Sequence, residues 1–116
     1  MAHRILVLGG GLPAYFEAPE AEKHAVFSPA FRAMLADWEA LGARIVASFC
    51  DDVLQVGPVE PGGWAWYLLF EVDDLDVAAA MMNRVRAGAD GVRLDRYVRF
   101  DVRVGRPFWA REEEPE

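Results

Sequence analysis

Residues 64–72 read WAWYLLFEV, and this stretch limits the fold more than any other. Alternate residues of a β-strand point to opposite faces. Trp64, Trp66, Leu68, Phe70 and Val72 therefore share one face, and Ala65, Tyr67 and Leu69 the other. Large apolar groups at both parities require that both faces be covered. A chain of 116 residues makes one domain with a modest core, so few elements are on hand to do the covering. With 53% apolar and 27% charged residues the composition is that of an ordinary folded chain.

Periodicity supplies those elements. RILVLG, residues 4–9, is aliphatic with little alternation and predicts a first strand covered on both sides. In SPAFRAMLADWEALGA, residues 28–43, Phe31, Met34, Leu35, Trp38 and Leu41 recur at helical spacing. Ser28 stands at a capping position, Pro29 at the first helical position and Gly42 at the stop. The residue before a proline is biased away from helical angles. Residues 19–27 therefore predict a separate short helical turn, with a bend near Ser28. RIVASFC (44–50) is a second strand, Asp51-Asp52 a turn and VLQVG (53–57) a short return strand. PVEPGG then breaks the pattern before WAWYLLFEV, the longest strand expected. A second helix follows from Asp73 or Asp74 as cap to Gly88 as stop, with Leu75, Ala78, Met82 and Val85 on one face. The last strand sets Val98, Phe100, Val102 and Val104 against Tyr97, Arg99, Asp101 and Arg103.

A βαββαβ order at this length predicts an α+β fold: a ferredoxin-like, four-stranded antiparallel sheet with two helices on one face. The helices leave the other face, with Tyr67 and Leu69, uncovered. A second copy pairing sheet to sheet would cover it, so a homodimer is expected. Residues 1–109 form the single domain. Residues 110–116, REEEPE with the preceding alanine, are expected to be a disordered acidic tail. Phe108 and Trp109 just before it would form an arm against the partner.

The formal charge of −7 and the lack of a Lys/Arg stripe argue against nucleic acid and anionic membranes as partners. The longest nearly apolar run, Trp64 to Phe70, is too short to span a bilayer, and the first residues lack signal-peptide features. A cytoplasmic location is expected. The single Cys50 offers no internal disulfide, no Cys/His cluster suggests a metal, and packing is its expected role.

Gly9-Gly10-Gly11-Leu12-Pro13-Ala14 matches G-x-G-x-x-A, the phosphate-cradling turn of dinucleotide sites. The context is wrong for it. Pro13 and Pro19 interrupt the helix that should begin there, and no acid lies in residues 28–33. No nucleotide or other cofactor is expected. The glycines read instead as a flexible exit from the first strand, releasing Leu12 to His24 as a lid with Tyr15 and Phe16 as its apolar contacts.

His24 is the histidine within the body of the chain and the first candidate for a general base. Its neighbours Glu22 and Lys23 favour the plainer reading of an exposed helix face. Arg99 and Tyr97 are candidates to stabilise an oxyanion and relay a proton. Cross-strand ion pairs, with Glu71 at the dimer seam, are the plainer reading of the Arg/Asp alternation. Tyr15, Phe16, Trp38 and Trp66 are candidate walls for an aromatic ligand, against the plainer role of core.

The element order, with WYLLFEVDDLDVAAAMMNRVR and VRLDRYVRFDVRVGRPF, resembles the dimeric α/β-barrel superfamily over residues 3–109. Within it the chain is similar to a small group that includes darcynin and the small protein of indole-acetate catabolism. The resemblance implies an apolar cavity between sheet and helices for an aromatic or polyketide-like molecule. It implies a cofactor-independent cyclase, isomerase or monooxygenase working by proton transfer, or a non-catalytic homodimeric binding protein of the same fold. Fold alone does not choose between these. An enclosed pocket faced by His24 or Arg99 is the geometry that the enzyme requires.

Overall fold

The computed structural model describes residues 2–54, 56–57, 65–86 and 91–106. Four strands form one antiparallel sheet: β1 (His3–Gly11), β2 (Arg44–Cys50), β3 (Trp66–Val72) and β4 (Val98–Gly105), in the spatial order β2-β3-β1-β4. Helices α1 (Pro13–Glu17), α2 (Glu20–Glu22) and α3 (Ser28–Ala40) lie between β1 and β2, and α4 (Leu75–Arg86) follows β3. This is the ferredoxin-like arrangement.

The register shows why one face is the core. Ile5 pairs with Phe70 and Val104, and Val7 with Leu68 and Val102, so the apolar parities of three strands coincide. Ala30, Met34 and Trp38 of α3 and Ala78, Met81 and Val85 of α4 close over that face. On α4 the buried stripe runs through Met81 rather than Met82, and Leu75 is exposed. Leu41 is likewise exposed, whereas Phe31 and Leu35 pack at the margin of the core. Asp74 caps α4, its Oδ1 accepting from the Asp76 amide at 2.9 Å. Gly42 ends α3 at φ +113°, a conformation that glycine adopts without a Cβ penalty.

Several expectations are corrected. The glycine run is not an exit from β1 but part of it: Gly9, Gly10 and Gly11 pair with Phe100, Arg99 and Val98. Ser28 is not a cap, since both it and Phe27 have helical angles, and α2 runs on into α3 through a π-turn at Lys23–Phe27. Pro29 removes the amide that would bond the Ala25 carbonyl, and its ring crowds that carbonyl. The chain answers by widening one turn instead of breaking, with the Ser28 amide bonding Lys23 O. Val53, Leu54 and Val56 form no return strand, and β1 with nine residues is longer than β3 with seven. Tyr97 closes a 3-10 turn at Leu94–Arg96 and precedes β4, so it does not share the face of Arg99.

The face away from the helices carries Leu6, Leu8, Ala47, Phe49, Tyr67 and Leu69 across its middle. Phe49 and Tyr67 meet ring to edge with centroids 4.7 Å apart, yet Phe49 is still 53% exposed. Cys50 at the end of β2 is exposed and not packed. Trp64, Gly88, Phe108, Trp109 and the tail 110–116 lie outside the described residues. Among the described residues no helix is long and apolar enough to cross a membrane.

Candidate functional site: an aromatic pocket at the glycine end of β1

Gly9 and Gly11 have ordinary strand geometry, for neither has a positive φ. The space above them supplies the reason for glycine. A Cβ on Gly9 would come within 2.0–2.3 Å of three Trp66 ring atoms, and one on Gly11 would approach the Phe16 ring to 2.7 Å. Both residues have the core-facing parity of β1, so the glycines let two aromatic rings rest on bare backbone on the helix side of the sheet.

Between those rings lies a pocket of about 190 Å³ lined by Gly11, Tyr15, Phe16, Phe27, Ala65, Trp66 and Val98. Its walls are held edge to face: Tyr15 to Phe16 with centroids 5.5 Å apart and Tyr15 to Phe27 at 5.0 Å. Trp66 leans on Phe31 at 5.4 Å and on Phe100 at 6.0 Å. Phe16, 67% exposed, forms the outer rim. Among the described lining residues, the Tyr15 hydroxyl and the Trp66 indole N–H are the polar side-chain groups.

Tyr15, Phe16 and Trp66 thus meet in one place, but Trp38 does not join them. It is fully buried against Phe70, and its indole N–H donates to the Met81 carbonyl at 2.9 Å. Packing and that hydrogen bond account for it completely. His24 points away, 79% exposed, with Nε2 3.6 Å from Glu20 Oε2. Arg99 borders a separate open groove of about 420 Å³ together with Leu12, Met82, Arg86 and Asp95. The three candidates for proton transfer and oxyanion binding are therefore not gathered around the pocket.

Tyr97 has a different partner from any that its strand position suggested. Its hydroxyl donates to Glu22 Oε2 at 2.9 Å. That bond, then burial and the carboxylate's charge, raise the Tyr97 pKa above its ordinary value and keep the phenol a donor. Its ring also meets Phe27, centroids 5.5 Å apart. On the open face, Glu71 pairs with Arg4 at 3.0 Å and Arg44 at 3.2 Å, not with β4. The bond from Arg44 and then that from Arg4 hold its carboxyl below its ordinary pKa. Asp101 pairs along its own strand with Arg103 at 3.1 Å.

No protein-family model and no curated protein matches the sequence. Solved structures do. The chain is similar to a protein of unknown function from Rhodopseudomonas palustris, at TM-score 0.52 and 18% identity over 88% of this chain and 80% of that one. It is also similar to an uncharacterized NIPSNAP-like domain protein from Burkholderia xenovorans, at TM-score 0.50 and 13% identity over 99% and 90% of the two chains. What is shared is the fold.

Sequence reasoning passed over Phe27 and Val98 as pocket walls. Phe27 stands four residues before Phe31, a spacing that joins side chains on a continuous helix, and their rings are 5.7 Å apart. The break expected at Pro29 concealed that signal. No group of three or more His, Cys, Asp or Glu side chains suited to a metal is found among the described residues.

Proposed function

We propose that the protein is a homodimeric binder of a small, uncharged, planar aromatic molecule. The observation that carries this reading is the ring of Tyr15, Phe16, Phe27 and Trp66 around a space of about 190 Å³. An apolar cavity of roughly 150 Å³ holds benzene, so the space suits one aromatic ring or two small fused ones. Aromatic walls give such a ligand edge and face contacts and would leave a charged one without partners. The binding reading is favoured over catalysis because a general base must reach its proton at hydrogen-bond distance, and His24 lies outside the pocket.

The homodimer has separate support. The open sheet face has an apolar centre at Leu6, Phe49, Tyr67 and Leu69, around the already buried Leu8. Its rim carries both signs of charge, with Arg4, Arg44 and Glu71 at one end and Asp101 and Arg103 along β4. A two-fold interface needs a self-complementary patch, and a mixed rim around an apolar centre meets that need.

Titration with phenol and naphthalene, followed by amide NMR shifts, tests the binding reading. Shifts centred on residues 11, 15, 16, 27, 65, 66 and 98 are expected, with dissociation constants of about 0.1–1 mM for probes of this size. Trp66→Ala should abolish them. The absence of localised shifts at millimolar probe would overturn the reading.

A further inference from the structure

We infer that residues 13–27 form a hinged cover over the aromatic pocket, and that the hydrogen bond from Tyr97 to Glu22 is the catch holding it shut. The inference rests on the pocket being a binding site and concerns how a ligand gains access to it. Three of the pocket's four aromatic walls, Tyr15, Phe16 and Phe27, belong to this one segment, and the fourth, Trp66, belongs to the sheet. Moving the segment therefore opens the pocket without disturbing its floor.

The segment has the character of a separable unit. None of its helical residues is buried, whereas α3 directly after it buries Ala30, Met34 and Trp38. Regions with few buried apolar contacts open at a small fraction of the global unfolding free energy. Internally the unit is fastened: Tyr15 packs on Phe27, and the Lys23 ammonium sits 4.8 Å above the Tyr15 ring while pairing with Glu20 at 3.4 Å. It moves as a piece.

Its two ends are suited to bending. At one end Leu12 is extended and tied to the body by its amide bonding the Tyr97 carbonyl at 2.8 Å. At the other end the segment meets α3 at Ser28–Pro29, directly after the π-turn at Lys23–Phe27, where Pro29 has already removed one rung of the helical ladder. Wide turns of this kind often mark functional positions in helices. Between the ends, the fastenings to the body among the described residues include Phe16 resting over Gly11, Phe27 against the core margin, Phe31 and Tyr97, and the bond from the Tyr97 hydroxyl to Glu22. The last is the directional one, and its acceptor is a carboxylate, which makes it stronger than a neutral pair.

Hydrogen–deuterium exchange on the full chain without ligand tests this. In the wild type, amides of residues 13–27 should exchange faster than those of residues 30–40. Tyr97→Phe keeps the ring and removes the donor, and Glu22→Gln removes the acceptor's charge. Each should speed exchange in 13–27 by about tenfold, the scale of one charge-assisted hydrogen bond at a partly exposed site. Exchange in the sheet and in α3 should stay as it was, and the double variant should be no faster than Tyr97→Phe alone. Exchange in 13–27 as slow as in α3, an acceleration spread over the whole chain, or no acceleration in either variant would each overturn the cover. The two readings fail separately. If naphthalene does not bind, the pocket reading falls while exchange still reports the hinge; if it binds and exchange is unchanged by both variants, the pocket stands without a cover.

Discussion

At the scale of single residues, the most informative positions are glycines whose backbone does not need glycine. Gly9 and Gly11 sit in an ordinary strand, and the rings of Trp66 and Phe16 occupy the places of their side chains. The two differ in what can yield. Trp66 is wedged between Phe31 and Phe100, whereas Phe16 is mostly exposed and free to swing. Gly9→Ala should therefore cost about 2–3 kcal/mol in urea denaturation, as overpacking does. Gly11→Ala should cost under about 1 kcal/mol and act mainly on ligand affinity, by displacing the rim. Tyr97 supplies a pH prediction. Its pKa is raised in the folded state, so its contribution is complete below the ordinary value near 10.0 and is lost as pH rises through the folded value. Thermal stability should decline above about pH 10 more steeply in the wild type than in Tyr97→Phe. None of this was legible beforehand, because a run of glycines reads as flexibility until the rings above it are placed.

At the scale of elements, α3 and α4 are joined by an ion pair that periodicity does not reveal. Arg84, its side chain only 10% exposed, bonds Asp37, which is half-exposed. One Arg84 Nη is buried with no hydrogen-bond partner among the described residues. A buried guanidinium that is incompletely paired gives little net stability, while removing its counter-charge leaves it worse off. Asp37→Asn should destabilise by about 1–2 kcal/mol, and Arg84→Met should be neutral or stabilising, as read from urea midpoints with unchanged slopes. The four strands and the inner face of α3 were readable because periodicity reports burial directly, as Met34 and Trp38 illustrate, whereas on α4 the stripe expected through Leu75 and Met82 runs through Met81. The π-turn was not. Local rules say that Pro29 disfavours a preceding helix, but packing of Phe27 against Tyr15, Phe31 and Tyr97 holds the chain helical through it. Tyr97 was misplaced for a similar reason: alternation continues through LDRYVRF, and only the 3-10 turn takes Tyr97 off the strand.

At the scale of the whole molecule, the open sheet face is the surface that the proposed homodimer would bury. Light scattering coupled to size exclusion should report about twice the 13.0 kDa chain mass at micromolar concentration. Leu69→Glu, placing a charge at the centre of that face, should yield a monomer whose aromatic pocket still binds naphthalene; an unaltered dimer would remove the sheet-to-sheet arrangement. The sequence by itself determined the βαββαβ order, the antiparallel sheet and the side that faces the helices. Those depend on local periodicity and on the arithmetic of covering a two-sided strand such as WYLLFEV. Only the tertiary structure decided which aromatic rings face a cavity. Trp38 and Trp66 look alike in the chain, yet one fills the core and donates to Met81 while the other lines a pocket beside Phe16. The difference lies in what the neighbouring elements leave empty. Strand β1 leaves room through Gly9 and Gly11, a property of shape set by residues far apart along the chain.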